Sequence, residues 1–312
     1  MSRIQDILKK AERDGVVHRT RAIGSDRPAA GAAHALVETP LVSRVEPAIG
    51  RAEPPMGRAE PPAGGVTETP HIGFAPAPVH SAPRQAGGHV DAHLVAAGAP
   101  QSIAAEQYRL LRTRVIRAEN GRPCRTIIIT SPNKGDGKSL TAANLALTMA
   151  QDPTQRVLVL DGDLRRPSIH RLFGIAETPG LSDVLMGGAS LEDALVTIPD
   201  YRLTVLPSGL IPTQPAELLG SNGMRRLLDT LRTRFDRVLI DMPPVEPLAD
   251  VAIASTMADG VLMIVRAGVT PKPAIERALA SIDGGKVLGL VLNDAGASAA
   301  GYQYAGYRYA AG

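Results

Sequence analysis

The chain has no tryptophan and only three phenylalanines and six tyrosines among 312 residues, so its core has to be built from Leu, Ile, Val and Ala. A single cysteine, Cys124, excludes an internal disulfide, and no His or Cys cluster lies beside it to hold a structural zinc. Excess charge is also lacking. A net +3 scattered along the sequence is too weak a field to attract nucleic acid, and no nucleic-acid partner is expected. No apolar run approaches the roughly 20 residues that span a bilayer, and the opening MSRIQDILKKAERDG has no signal-peptide core. These absences predict a soluble chain in a reducing compartment that meets a membrane only through a partner. What is present, a 44% hydrophobic content, suffices for one sizeable aliphatic core.

Composition divides the chain into four parts. Residues 1–17 read as a short amphipathic helix: Ser2 and Gln5 fit a capping box, and Ile4, Ile7, Leu8 and Ala11 recur at helical spacing. Residues 18–101 turn to Pro, Ala and Gly, with RAEPP at 51 and again at 58, and are expected to be a disordered linker. Residues 102–294 change pattern. Apolar runs at 126–130, 157–160, 203–206, 237–240, 261–265 and 287–292 alternate with helical stretches, which predicts an α/β fold with a doubly wound, mostly parallel sheet covered on both faces. Residues 295–312 form a Gly/Ala tail that holds four of the six tyrosines, Tyr302, Tyr304, Tyr307 and Tyr309. Without a periodic apolar face, those rings are not core residues.

The strand at 126–130 runs into SPNKGDGKS and then a helix from Leu140. A tight loop of exposed amides between a strand and a helix N-terminus is the geometry that binds phosphate. The expected phosphate-site residues are therefore Pro132, Asn133, Lys134, Gly135, Asp136, Gly137, Lys138, Ser139 and Leu140. Lys138 would reach the β and γ phosphates and the Ser139 hydroxyl a magnesium ion. The loop is a variant P-loop, with Pro132 where the strict pattern has glycine, and Asp136 adds a negative charge expected to weaken nucleotide binding. Two further strands end in carboxylates: VLVLDGDLRRP carries Asp161 and Asp163, and VLIDMPP carries Asp241. Beside a phosphate loop, Ser139, Asp161, Asp163 and Asp241 are candidate magnesium ligands, and Asp161 a candidate proton acceptor. Arg165 would neutralise phosphate oxygens. Glu106, Arg109 and Arg112 recur every third residue on a predicted helix.

In this order and spacing, SPNKGDGKS, VLVLDGDLRRP, VLIDMPP, GLSDVLMG at 180, LPSGLIPTQPAELLGS at 206, GLVLN at 289 and the Tyr-rich tail resemble the bacterial tyrosine kinases of capsule and exopolysaccharide synthesis. The likeness covers roughly residues 102–312 and is greatest to the separate-chain form, with features of the exosortase-associated subset. It implies a P-loop NTPase fold, ATP and Mg2+ as ligands, and Lys138, Asp161, Asp163 and Asp241 as catalytic residues. It further implies phosphorylation of the tail tyrosines by a neighbouring subunit. Glu106, Arg109 and Arg112 then belong to an oligomerisation motif that builds a ring, and Asn293 to the adenine site. The implied partners are a transmembrane polysaccharide co-polymerase that activates the kinase and a tyrosine phosphatase that reverses it. The implied location is the cytoplasm, with peripheral recruitment to the inner membrane. Met242 departs from the family pattern by standing where a small hydroxyl residue is common, and Asn133 occupies the signature-lysine position of the related partition ATPases. The competing expectation is a P-loop ATPase that acts as a nucleotide-dependent assembly switch, for which the tail tyrosines have no use.

Overall fold

The structure, a computed structural model, describes residues 84–85, 90–119 and 121–295. The expected N-terminal helix, most of the linker and the four tail tyrosines lie outside the described residues. All six predicted strands are present, as β2 (Thr126–Thr130), β3 (Val157–Asp161), β5 (Leu203–Leu206), β6 (Arg237–Asp241), β7 (Gly260–Arg266) and β8 (Val287–Asn293). Strands β2 and β3 are buried at every residue and the middle of the sheet has no solvated face, which is why these runs are continuously apolar rather than alternating.

The sheet order is β1-β4-β5-β3-β6-β2-β7-β8. Two short strands complete it at one edge: β1 (Arg84–Gln85) and β4 (Val196–Ile198). Strand β4 pairs antiparallel with β5 across a turn, Pro199–Tyr201, that ends at Arg202 with φ 53°; β1 runs parallel to β4. The pairs β3/β5, β3/β6, β2/β6, β2/β7 and β7/β8 are all parallel. All six long strands therefore end at one edge of the sheet, and the loops that follow them gather there.

Each face of the sheet carries its own aliphatic core. One lies under α1 (Val95–Gly98), α2 (Ile103–Ala118), α3 (Lys138–Ala150) and α4 (Ile169–Leu172). The other lies under α5 (Leu181–Leu185), α6 (Leu191–Ala194), α7 (Pro215–Gly220), α8 (Asn222–Arg234), α9 (Asp250–Ser255) and α10 (Lys272–Ala280). Helix α3 is buried at every residue from Thr141 to Ala150, because α1 and α2 cover the side that the sheet does not.

That cover moves the expected linker boundary upstream. Residues 90–101 belong to the folded unit: Leu94 is fully buried, the Ala96 N–H donates to Asn144 Oδ1 at 3.0 Å, and Asn144 Nδ2 donates to the His93 carbonyl at 3.1 Å. An Ala/Gly-rich stretch reads as linker by composition, yet small residues are what allow a short helix to lie close on α3.

Candidate functional site

The phosphate loop follows β2 and closes on the N-terminus of α3, as the spacing predicts. Gly135 and Gly137 adopt φ 88° and 95°, backbone that L side chains rarely take, and Gly137 caps the helix. The loop is held together from within. Ser131 Oγ donates to the Asn133 carbonyl at 2.7 Å, and the Asn133 N–H donates to Asp136 Oδ2 at 2.9 Å.

Asp136 therefore does not project a charge into the loop's mouth. Its side chain is buried, and its second oxygen, Oδ1, accepts a hydrogen bond from Thr270 Oγ1 at 2.8 Å. Asp136 thus has a structural role as well, its carboxylate bonded to two neutral donors behind the loop.

Lys138 opens α3 and turns its ammonium towards the strand-end carboxylates. Its Nζ lies 2.8 Å from Asp163 Oδ2, 3.5 Å from Asp241 Oδ1 and 3.1 Å from Ser139 Oγ. Burial works to lower the lysine pKa, but Asp241 and Asp163 outweigh it and hold the group above the ordinary lysine range. Asp161 and Asp241 are register partners at the ends of β3 and β6, and both are fully buried. Burial, and then the charge of Asp241, push the Asp161 carboxyl up to about 7; burial also raises Asp241. Asp161 Oδ2 accepts the backbone N–H groups of Ser168 and Ile169, each at 2.9 Å, while Oδ1 accepts that of Asp163 at 3.2 Å.

Neither oxygen of Asp241 has a hydrogen-bond partner. With no hydrogen bond of its own, the buried Asp241 carboxylate meets only the Lys138 ammonium at 3.5 Å, so its lone pairs suit a divalent cation that would displace the lysine. The donors are all oxygens, the set that suits Mg2+, which takes one or two carboxylates and completes its shell with phosphate and water. Among the described residues no three acidic or His/Cys side chains converge into a ready-made metal cage. Asp241 and Ser139 fit the ion best. Asp161 is less available than expected, because Oδ2 is filled by backbone donors.

Arg165 is directed elsewhere. Its Nε and Nη2 donate to Asp250 Oδ2 and Oδ1 at 2.8 and 3.0 Å, pinning the loop after β3 to the start of α9. Asn293, at the end of β8, donates through Nδ2 to the Asp136 carbonyl at 2.9 Å. On α2, Arg109 pairs with Glu106 at 2.6 Å within the helix, and Arg112 Nη1 donates to the Thr148 carbonyl at 2.9 Å. Met242 is buried, its sulfur so close to Gly162 that a Cβ there would lie 2.7 Å away. Asp250 and Thr270 are site-supporting residues that sequence reasoning missed, since nothing in their local pattern distinguishes them from ordinary loop and helix-start residues.

The AAA domain family matches residues 124–283. The chain is 37% identical over 209 residues to "Tyrosine-protein kinase YwqD" of Bacillus subtilis, covering 66% of this chain and 88% of that one. The chain belongs to the bacterial tyrosine-protein kinase family. It is also 34% identical over 216 residues to "Tyrosine-protein kinase wzc" of Salmonella typhimurium, spanning 69% of this chain and 30% of that longer one. Among solved structures, the kinase domain of the Escherichia coli tyrosine kinase ETK superposes with a TM-score of 0.62 at 29% identity, covering 64% of this chain and 79% of that one. The segment matched by the AAA domain family thus contains the phosphate loop and Asp161, Asp163 and Asp241.

Proposed function

We propose that this kinase transfers the γ-phosphoryl group of ATP to tyrosines of its own C-terminal tail, Tyr302, Tyr304, Tyr307 and Tyr309, carried by a neighbouring subunit. The observation that supports it most is the Lys138 ammonium held among Asp163, Asp241 and Ser139 beside a glycine loop at a helix N-terminus. The loop amides and the positive end of α3 would bind the phosphates. Lys138, released from its carboxylates, would follow the negative charge onto the β and γ oxygens. Asp241 and Ser139 would hold magnesium, with Asp163 orienting its waters; when bound, the ion neutralises charge on the transferring group.

The acceptor is a phenol, whose pKa of about 10 asks little of a base. Asp161, with a carboxyl near neutrality and Oδ1 only lightly bonded, would take the phenol proton as the new oxygen–phosphorus bond forms and ADP leaves. The products are ADP, phosphotyrosine and one proton. Asn293 would contact the adenine through its side-chain oxygen while Nδ2 stays on the Asp136 carbonyl.

The family resemblance extends the proposal to a ring built through Glu106, Arg109 and Arg112, an activating transmembrane polysaccharide co-polymerase and an opposing tyrosine phosphatase. No described helix is long and apolar enough to cross a membrane, so attachment through such a partner is the proposed route to one. Mass spectrometry of the 302–312 peptide after incubation with Mg-ATP and a co-polymerase cytoplasmic segment tests the reading. Phosphate on the tyrosines that is lost in Lys138→Met supports it; ATP turnover with an unmodified tail would instead favour the assembly switch.

A further inference from the structure

The acidic residue inside the phosphate loop, the hydroxyl after β7 and the amide at the end of β8 form one connected network. The Arg266 N–H donates to Thr270 Oγ1 at 2.9 Å, Thr270 Oγ1 donates to Asp136 Oδ1 at 2.8 Å, and Asp136 Oδ2 accepts the Asn133 N–H at 2.9 Å. From the other side, Asn293 Nδ2 donates to the Asp136 carbonyl, and the Asn293 carbonyl accepts the Ala267 N–H at 2.9 Å. Asp294, the next residue, accepts from Arg266 Nε at 3.0 Å. The fit is close. A Cβ on Gly137 would lie 2.0 Å from Asn293 Nδ2, so the glycine that caps α3 also leaves the space the asparagine occupies.

The geometry points to a clamp in which Thr270 and Asn293, acting through Asp136, hold the phosphate loop in its binding shape and tie it to the residues from which the tyrosine tail departs. Thr270 is a positioning residue, and Asn293 positions the loop through Nδ2 in addition to its proposed adenine contact, so only the exchange readout reports its clamp role. Thr270 sits in the middle of a relay: without its hydroxyl, a carboxylate oxygen and a backbone N–H lose their partner together. Asn293 is the connection to the tail, because a shift at the end of β8 moves the carbonyl-bound amide and with it Asp136. By linkage, nucleotide that orders the loop also orders the tail's root, and a constraint on that root changes nucleotide affinity by the same factor. The inference rests on the reading of the loop as a nucleotide site.

Two measurements on Thr270→Val test it, with Thr270→Ser as the rescue and the full chain used throughout. Hydrogen exchange in nucleotide-free protein reads the clamp itself: Thr270→Val should speed exchange of the Asn133 loop amide, which donates to Asp136, by roughly tenfold or more, the scale of one charge-assisted hydrogen bond, and Thr270→Ser should restore protection. Binding of a fluorescent ADP analogue with magnesium should weaken by roughly fivefold or more in the valine variant and recover in the serine variant. Asn293→Ala should weaken it likewise and speed exchange in both the loop and residues 290–295. Unchanged loop exchange in Thr270→Val, or loop exchange that responds to Thr270→Val but never to Asn293→Ala, would overturn the clamp. If wild-type protein fails to bind the analogue, the nucleotide reading fails, while the exchange result still decides the clamp.

Discussion

Asp161 and Asp241 face each other as register partners at the ends of adjacent parallel strands, both fully buried. Two carboxylates so placed resist ionising together, and burial and the charge of Asp241 push Asp161 up to about 7 from an unperturbed 3.8. In nucleotide-free, magnesium-free protein the folded state thus keeps a proton that the unfolded chain releases. The resulting stability is complete below about pH 4 and is lost as pH rises towards about 7. Urea midpoints should fall between about pH 5 and about pH 8, and Asp161→Asn, which cannot titrate, should flatten that difference. An equally steep fall in the variant would contradict the assignment.

Lys138 is the cation of the nucleotide-free site, so removing it has a cost besides lost chemistry. Lys138→Met should destabilise the protein by about 3 kcal/mol in metal-free buffer, because Asp163 and Asp241 lose their buried partner. Millimolar magnesium should recover part of the loss in the variant and much less in the wild type. Thermal unfolding with and without the ion measures both.

Arg165 is anchored to Asp250, and its loss should be felt first in the fold. Arg165→Ala strands a fully buried carboxylate and should cost about 2 kcal/mol, limited by the solvent that reaches the arginine side. Asp250→Asn should cost less. A stable Arg165→Ala protein with greatly weakened nucleotide binding would return the residue to the phosphate site.

Met242 fills the space against Gly162 that a smaller residue would leave open. Met242→Ser should cost about 2–4 kcal/mol through the cavity and a newly buried hydroxyl, with the register of Asp241 unchanged. Denaturant titration measures the cost.

Much of the site was legible in the sequence because its signals are local. Each of the six apolar runs became a strand, and SPNKGDGKS, Asp161, Asp163 and Asp241 all arrived at one sheet edge, since parallel strands joined by helices leave their ends nowhere else to go. What escaped was set by side-chain direction across long separations. Nothing local says that Asp136 turns inward to Thr270, 134 residues later, or that Arg165 reaches Asp250. The short edge strands β1 and β4 and the helix at Val95–Gly98 were missed for another reason. Two to four residues carry no period, and their pairing comes from the sheet and α3 already in place.

The most direct test of the kinase reading mixes two proteins: Lys138→Met with an intact tail, and an otherwise wild-type chain with its four tail tyrosines changed to phenylalanine. Both are incubated with Mg-ATP and the activating segment, and the tail peptides are read by mass spectrometry. Phosphotyrosine on the Lys138→Met tail, absent when that protein is incubated alone, is the predicted result. An unmodified tail in the mixture, although the wild-type chain phosphorylates its own under the same conditions, would contradict transfer between subunits.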